Sequence, residues 1–302
     1  AERADRHRLY EASVQNVEHE VDFIKSTFKD LTGRQALTFR EDFCGTGAAA
    51  CEWVRRNRLH HAVGVDLDAE VLAWGRKHHV AKLGKSQRSR VQLVEANVLD
   101  VEGEPFDAVG AFNFSYWIFE ERAQMVAYMR RCFEALKDDG VLFMDMFGGP
   151  ESFDVTKEKT KHDGFTYIWE QADFHPVTNH MRCHIHFKFP DGSKIKKAFT
   201  YEWRLYTAPE IRDLLLEHLE QLAPAIQAGV DPLQGLQAGQ VARLELDGGP
   251  VGVDGLFVAV EFGLPDGGDV EQVVQGHLAV LGLIRRPAQH RDELVPAALL
   301  LV

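Results

Sequence analysis

The sequence predicts an α/β fold in which helices cover both faces of a parallel β-sheet, an architecture called doubly wound. One observation is that residues 36–68 follow the order strand, glycine turn, helix, strand and acidic residue. Another is that strand-like apolar runs and helical stretches continue to alternate as far as position 147. Such alternation is typical of parallel sheets, because each parallel connection needs a crossover segment.

The turn inside this βαβ unit is built from small residues, with Gly45 and Gly47 between the first strand and the helix. A glycine there permits backbone dihedrals and a close approach that a side chain would forbid. The free N–H groups at the start of the helix favour a ligand with acceptors or negative charge. Asp66 ends the second strand, where an acidic side chain can hold both hydroxyls of a ribose. These features predict a ligand that contains adenosine.

Two cofactor classes compete for this site. Residues 45–50 match the pattern G-x-G-x-x-G/A, and Asp66 follows at about the ~20-residue spacing of nicotinamide-binding proteins. Glu41 and Asp42 stand directly before the glycines and would repel a pyrophosphate. They suit a cationic ligand, such as one that carries an ammonium and a sulfonium group.

Residues 41–47 (EDFCGTG) and 64–68 (GVDLD) resemble the class I S-adenosylmethionine-dependent methyltransferases of the small-molecule type. The resemblance covers roughly residues 10–217 and departs from the family at Phe43, where glycine is usual. It implies a doubly wound, seven-stranded methyltransferase-type sheet with an antiparallel β insertion after the fifth strand, and S-adenosylmethionine as the cofactor. The cofactor-binding residues that it implies are Tyr10, Glu41, Cys44, Gly45, Gly47, Asp66, Leu67, Asn97, Val98 and Asn113.

The resemblance implies methyl transfer to a small-molecule acceptor by in-line displacement, which needs alignment and a dry site. A base is required only where the acceptor must lose a proton. An NAD-dependent oxidoreductase is the competing enzyme class. A third alternative is a methyltransferase fold retained as a catalytically silent binding protein, which Phe43 and an unusual C-terminal region allow.

The chain of 302 residues is acidic, with a net charge of −12 and a pI of about 5.6. An acidic surface disfavours a nucleic-acid partner, since a phosphate backbone attracts clustered Lys and Arg. No apolar stretch reaches the ~18 residues of a membrane span, and the polar N-terminus does not resemble a signal peptide. The four cysteines form no C-x-x-C pair, which indicates reduced, mostly buried thiols. We therefore expect a cytoplasmic protein with a small-molecule substrate.

Five segments are predicted along the chain. They are an N-terminal lid helix (residues 1–35), a cofactor-binding α/β core (36–150), a β-rich substrate-covering insertion (151–206), a final core helix (207–222) and a compositionally distinct C-terminal region (223–302). In the first segment, apolar residues at helical spacing predict one helix over residues 5–31. In the resembled family such a helix packs over the cofactor as a lid, which makes Tyr10 a candidate contact.

Polar residues follow the carboxyl ends of the third and fourth strands. Asn97 and Val98 occupy the positions that face adenine in the resembled family, and an ordinary turn is the alternative interpretation of Asn97. Asn113, Ser115 and Tyr116 follow a central strand, where open α/β sheets place their ligands. They are candidates to face the transferred methyl, with Tyr116 as a candidate catalytic residue. Strands are predicted over residues 90–95, 106–114 and 141–147, and helices over residues 48–59, 69–83 and 121–136.

After Gly148-Gly149-Pro150 the apolar period changes to two, which predicts antiparallel strands over residues 165–174, 181–189 and 194–204. In the middle strand, His184 and His186 share a polar face. We predict that one of them acts as a catalytic base, because the insertion covers the active site in the resembled family. A solvated face is the alternative. Metal binding is disfavoured, because no carboxylate or cysteine joins that face.

The composition changes near position 221, after which Ser, Thr, Asn, Lys, Cys, Met, Tyr and Trp are absent. Residues 241–246 and 256–262 are possible strands that would complete the central sheet. The alternatives are a divergent appendage or a stretch read out of its ancestral frame.

Overall fold

The computed structural model describes residues 4–146, 148–222, 241–244 and 297–300. Its centre is a five-stranded parallel sheet in the order β3-β2-β1-β4-β5. The strands are β1 (Thr38–Asp42), β2 (His61–Asp66), β3 (Val91–Glu95), β4 (Phe106–Ala111) and β5 (Leu136–Met144). The predicted parallel α/β sheet is confirmed, and five of the seven expected strands belong to it within the described residues.

Helices pack on both faces of this sheet, as the doubly wound prediction requires. Phe39 and Phe143 share one buried cluster with Trp53, whereas Val109 shares another with Tyr128. Within the described ranges, no helix combines the length and apolarity needed to cross a membrane. The helices after β1 are α3 (Ala48–Arg56), α4 (Ala69–His78), α5 (Lys85–Arg88), α6 (Arg122–Glu134) and α7 (Ala208–Leu222).

The N-terminal segment forms two helices, α1 (Arg6–Val14) and α2 (Val17–Thr32), so the prediction of one continuous helix is wrong. The chain becomes extended at Gln15, and the Asn16 side chain caps α2 by accepting from the His19 N–H. An Asn at this position competes for backbone hydrogen bonds and favours a helix start. The break lets α1 lie on a different part of the molecule from α2.

A separate four-stranded antiparallel sheet lies between β5 and α7 in the chain, in the order β6-β7-β8-β9. Its strands are β6 (Thr156–His162), β7 (Phe165–Phe174), β8 (His180–Lys188) and β9 (Lys194–Arg204). Three of them were predicted. The fourth, β6, was missed because the sequence TKEKTKH is charged and has no apolar face.

Two short strands close the described part of the chain. Val241–Leu244 (β10) pairs antiparallel with Ala297–Leu300 (β11) in a two-stranded sheet of its own. Of the alternatives left open for this region, completion of the central sheet does not apply to the described strand near position 241. The other predicted strand, residues 256–262, lies outside the described residues.

Candidate functional site

The glycine turn between β1 and α3 forms the floor of the candidate site. Phe43, Gly45 and Gly47 have left-handed backbones, with φ of 56°, 53° and 67°. A Cβ on Gly47 would lie 2.5 Å from the Leu93 Cδ2 atom, whereas a Cβ on Gly45 would meet no atom within 4 Å. Gly47 is thus needed for packing, and Gly45 borders open space that a ligand can fill.

Phe43 adopts the left-handed conformation without being glycine, which costs roughly 1–2 kcal/mol. Its ring packs against Phe119 and Tyr128, with centroids 6.0 and 5.6 Å apart. Aromatic packing offsets backbone strain here. The turn therefore keeps its shape at the position where the sequence departs from the resembled family.

Asp66 joins the glycine turn to the loop after β2. Its Oδ2 accepts from the Gly45 N–H at 2.8 Å, and its Oδ1 accepts from the Asp68 N–H at 2.9 Å. Each carboxylate oxygen retains a second lone pair for a hydroxyl donor. The neighbouring Leu67 is 64% exposed, which leaves an apolar surface beside the carboxylate. This arrangement fits the ribose and base of an adenosine.

The acidic residues before the turn are buried and bonded within the protein. The Glu41 carboxylate accepts from the Ala50 N–H at 2.9 Å, and burial raises the pKa of Glu41 to about 8. Asp42 pairs with the Arg40 guanidinium at 2.7 Å and accepts from the Tyr128 hydroxyl at 3.1 Å. Neither carboxylate is open to solvent, and each is already bonded within the protein.

The other residues predicted to contact the cofactor lie at the ends of the strands, and some of them are buried. Cys44 is buried, and its Sγ atom packs closely against Gly64. A Cβ atom on Gly64 would lie only 2.8 Å from this sulfur. Asn97 accepts from the Leu99 N–H at 3.0 Å, which is the turn geometry of the alternative interpretation. Val98 is buried, and its carbonyl accepts from Arg40. All four cysteines are free and buried, as predicted.

The turn after β4 contains a second left-handed pair, Asn113 (φ 56°) and Phe114 (φ 48°). A single carboxylate holds it: Asp145 Oδ2 accepts from the Asn113 N–H at 2.6 Å, and Oδ1 accepts from the Phe114 N–H at 2.8 Å. The hydroxyl of Tyr116 donates to the Asp145 carbonyl at 2.7 Å. Asn113 thus sits at the predicted edge of the sheet.

Tyr116 is fully buried, and burial raises the pKa of its hydroxyl well above the usual range. Its hydroxyl is bonded within the protein, and a catalytic role for Tyr116 stays a prediction. Asp145 was not singled out by sequence analysis. The available signal was an acidic residue directly after an apolar strand at the ligand-binding edge.

Helix α1 bridges the glycine turn and the antiparallel sheet. The Glu11 carboxylate accepts from the Thr46 hydroxyl at 2.6 Å and lies 2.6 Å from His79 Nε2. The Tyr10 ring packs against Phe199 at a tilted angle, with ring centroids 5.0 Å apart, and its hydroxyl hydrogen bonds to the Tyr201 side chain. These contacts place Tyr10 on the side of the antiparallel sheet that faces α1.

That side of the sheet is aromatic. Tyr167, Trp169 and Tyr201 are half-buried and belong with Tyr10 to one apolar cluster. Burial raises the pKa of the tyrosine hydroxyls at positions 10, 167 and 201, so all three remain neutral donors. Sequence analysis missed Tyr167 and Tyr201 because alternation counts tyrosine as an ordinary apolar residue.

His184 and His186 lie on the side of the sheet opposite to this aromatic cluster, and a catalytic role for either histidine stays a prediction. His184 Nδ1 is 2.9 Å from the Thr200 hydroxyl. His186 Nε2 is 2.7 Å from Glu170, and its Nδ1 accepts from the Lys197 N–H. Their neighbours in β8, Cys183 and Ile185, pack toward the core instead. Among the described residues, no group of three or more His, Cys, Asp or Glu could hold a metal ion.

A parallel sheet in the order 3-2-1-4-5, with a glycine turn after β1 and an acidic residue ending β2, defines an α/β protein that binds a nucleoside cofactor. Residues 44–142 match the model of a methyltransferase domain family. This match over the cofactor-binding part of the chain supports the resemblance to class I S-adenosylmethionine-dependent methyltransferases found in the sequence.

One curated relative and several solved structures are similar to this chain. A curated methyltransferase of Geobacillus sp. (strain WCH70) is 25% identical over 151 residues, which span 49% of this chain and 58% of that protein. A methyltransferase structure from Clostridium acetobutylicum has a TM-score of 0.63 at 14% identity, with 93% of this chain and 98% of that chain covered. The sugar N-methyltransferase KedS8 from Streptoalloteichus sp. has a TM-score of 0.57 at 16% identity, with 94% of both chains covered.

A third solved structure is that of CalS10 from Micromonospora echinaspora, an amino pentose methyltransferase with S-adenosylmethionine bound. Its TM-score is 0.60 at 14% identity, with 92% of this chain and 95% of that chain covered. At these identities the structures show a shared fold.

Proposed function

We propose that the protein transfers a methyl group from S-adenosylmethionine to an amino group of a small polar molecule, such as an amino sugar. The choice of cofactor is supported by the open space above Gly45, which lies beside the Asp66 carboxylate and the exposed Leu67 side chain. The acceptor class is supported by the aromatic side of the antiparallel sheet, and by two fold relatives named for a sugar and an amino pentose.

The residues that would hold the cofactor follow from this geometry. Asp66 would accept from the ribose hydroxyls, and Leu67 would cover the base. The glycine turn would border the methionine portion, with Tyr10 above it. Asn97, Val98 and Asn113 complete the predicted set at the same edge of the sheet. When bound, S-adenosylmethionine would supply a methyl group on a cationic sulfur, so that the acceptor–methyl bond could form in line as the carbon–sulfur bond breaks and S-adenosylhomocysteine leaves.

The chain's own residues then have to align the acceptor and exclude water. The neutral hydroxyls of Tyr10, Tyr167 and Tyr201 can donate to or accept from a polyhydroxylated acceptor and orient it. No base is assigned, since His184 and His186 face away and an uncharged amine attacks without prior proton loss.

The local field supports a cationic or amine-bearing ligand. Glu20 on α2 raises the pKa of both Glu41 and Asp145, besides the larger effect of burial. Within the described part of the chain, none of these three carboxylates takes part in an ion pair. A ligand portion that carries positive charge would favour the ionised form of these carboxylates and would in turn be attracted by it.

A thermal-shift experiment tests the cofactor. S-adenosylmethionine or S-adenosylhomocysteine at a hundred times its dissociation constant should add about 2.7 kcal/mol of stability. NAD should add none, and Asp66→Ala should abolish the effect while the protein still melts cooperatively. Stabilisation by NAD alone would contradict the proposal.

A screen of paired acceptors tests whether the methylated group is an amine. Glucosamine and related amino sugars should yield methylated products detectable by mass spectrometry, whereas the matching sugars with a hydroxyl in place of the amine should not. Methylation of the hydroxyl analogues at the same rate would refute an amine acceptor. Cofactor binding with no turnover on any acceptor would favour the silent binding protein.

A further inference from the structure

Two buried carboxylates each accept from two consecutive backbone N–H groups, at opposite edges of the central sheet. Asp107, at the start of β4, accepts from Leu37 and Thr38 at 2.8 Å each. Asp145, just after β5, accepts from Asn113 and Phe114. The bonding is alike, but only the Asp145 pair lies at the ligand-binding edge.

Their charge environments are opposite. Asp107 lies 2.7 Å from the Arg34 guanidinium and 3.0 Å from the Lys137 ammonium. Despite burial, its hydrogen bonds to backbone N–H groups and to these cations lower the pKa of Asp107 to about 2. Asp145 has no ion pair within the described residues, and burial raises its pKa to about 7 against the effect of the two N–H groups.

The turn that Asp145 holds needs support. Asn113 and Phe114 are consecutive non-glycine residues in the left-handed region, which persists only where surrounding contacts over-determine it. The carboxylate takes both N–H groups, and the carbonyl of the same residue accepts from Tyr116 in the next turn. Asp145 thus contacts three positions of this segment.

We infer that Asp145 is a positioning residue for methyl transfer, whose ionised carboxylate holds Asn113 and Phe114 in the backbone geometry that the cofactor and acceptor require. This inference rests on the proposed function. A protonated carboxyl keeps one good acceptor oxygen, so the second N–H bond weakens and the turn loosens. Order at the turn should therefore rise with pH across neutrality.

The groups that face Asp145 come from several elements. Besides burial, the Glu20 carboxylate on α2 disfavours ionisation of Asp145. The Asp145 carboxylate in turn disfavours ionisation of the Tyr10 hydroxyl on α1. Tyr116 donates to the main-chain carbonyl of Asp145 and not to the carboxylate. The Phe114 and Asn113 N–H groups favour ionisation.

The test measures amide hydrogen exchange at Asn113 and Phe114 in the ligand-free protein between pH 5.5 and 8.5, together with calorimetric affinity for S-adenosylhomocysteine. After correction for intrinsic exchange, protection of both amides should rise with pH in the wild type. Asp145→Asn should remove the rise and weaken binding by about tenfold above neutrality, as expected for loss of a charge-assisted hydrogen bond. Asp107→Asn is the matched control, and it should lower the melting temperature without changing either pH profile.

The outcomes separate the inference from the proposed function. Flat protection of both amides across this pH range in the wild type would overturn the inference, and this arm needs no variant to fold. Equal pH profiles for Asp145→Asn and the wild type would overturn it as well. Failure of the wild type to bind S-adenosylhomocysteine at any pH would instead reject the proposed function, while the exchange data would still report on the turn.

Discussion

Phe43 shows how one residue combines strain and packing. Its backbone is left-handed at a position where the family usually has glycine, and its ring contacts Phe119 and Tyr128. Replacing it separates the two effects, since alanine removes the ring and keeps the strain, whereas glycine removes both.

We therefore expect Phe43→Gly to be more stable than Phe43→Ala by ~1 kcal/mol, because only glycine adopts this conformation freely. The free energies of unfolding in urea provide the comparison. At an ordinary position glycine is the less stable of the two, so an alanine variant that equals or exceeds the glycine variant would contradict the left-handed assignment.

Residue-scale chemistry was predictable where geometry forces the residue type. Gly45 and Gly47 were identified because a tight turn restricts what can stand there, and Asp66 because an acidic residue ends a strand at the ligand-binding edge. Asp145 was not, because a lone acidic residue after a strand does not reveal which backbone groups it will meet. Its role depends on the path of a loop more than thirty positions earlier in the chain.

At the scale of elements, α4 packs against the glycine turn through Gly75. A Cβ there would lie 2.1 Å from the Thr46 carbonyl oxygen, so helix and turn are in backbone contact. Alanine normally stabilises a helix relative to glycine by about 1 kcal/mol. Here the close approach should reverse the sign.

Gly75→Ala should lower the free energy of unfolding by ~2 kcal/mol, the usual cost of overpacking, and weaken cofactor binding by moving the turn. Urea denaturation and calorimetry measure the two effects. The reverse change at exposed Ala73 on the same helix, Ala73→Gly, should cost about 1 kcal/mol through helix propensity and leave binding unchanged. A stabilised Gly75→Ala protein would show that α4 and the turn are not in contact.

Helix α1 is attached to the glycine turn through Glu11, which contacts Thr46 and His79. Glu11→Ala should reduce the exchange protection of α1 by about tenfold, as expected when bonds to a charged group are lost. The melting temperature should change little, because α1 contributes no fully buried residue. Hydrogen exchange resolved to residues 6–14 measures the effect, with exposed Glu18→Ala on α2 as the control. Unchanged protection of α1 would show that Glu11 does not hold it.

Element-scale errors have physical causes. The continuous apolar stripe across α1 and α2 concealed the break, because Asn16 caps a helix without interrupting the period. The aromatic face of β8 was overlooked for another reason. Its polar side was expected to meet substrate, yet the side that meets α1 is lined by tyrosines, which are apolar in a binary pattern and polar at their hydroxyls.

At the scale of the whole molecule, buried carboxylates shape the pH dependence of stability. Glu41, with a pKa of about 8 against an ordinary 4.5, binds a proton more tightly in the folded state. Between pH 4.5 and about 8, the folded protein therefore holds more protons at Glu41 than the unfolded chain does. The contribution of Glu41 to the free energy of unfolding falls as pH rises through this range.

Glu41→Gln should flatten the decline of unfolding free energy between pH 5 and 8, since glutamine keeps an acceptor for the Ala50 N–H and does not ionise. Urea denaturation at several pH values measures the slope. Asp107 acts in the opposite direction, and its contribution is lost only as pH falls through its pKa of about 2. Identical slopes for wild type and variant would mean that Glu41 is ionised in the folded protein at neutral pH.

The contacts of α1 carry a consequence for how the two ligands affect each other. The helix touches the turn that would border the cofactor and the aromatic side of the sheet that would border the acceptor. Whichever ligand arrives first and fixes α1 has already met the entropic cost of ordering it, so the second ligand binds with that cost removed. Thermodynamic linkage makes the effect reciprocal: the factor by which the cofactor tightens acceptor binding equals the factor by which the acceptor tightens cofactor binding.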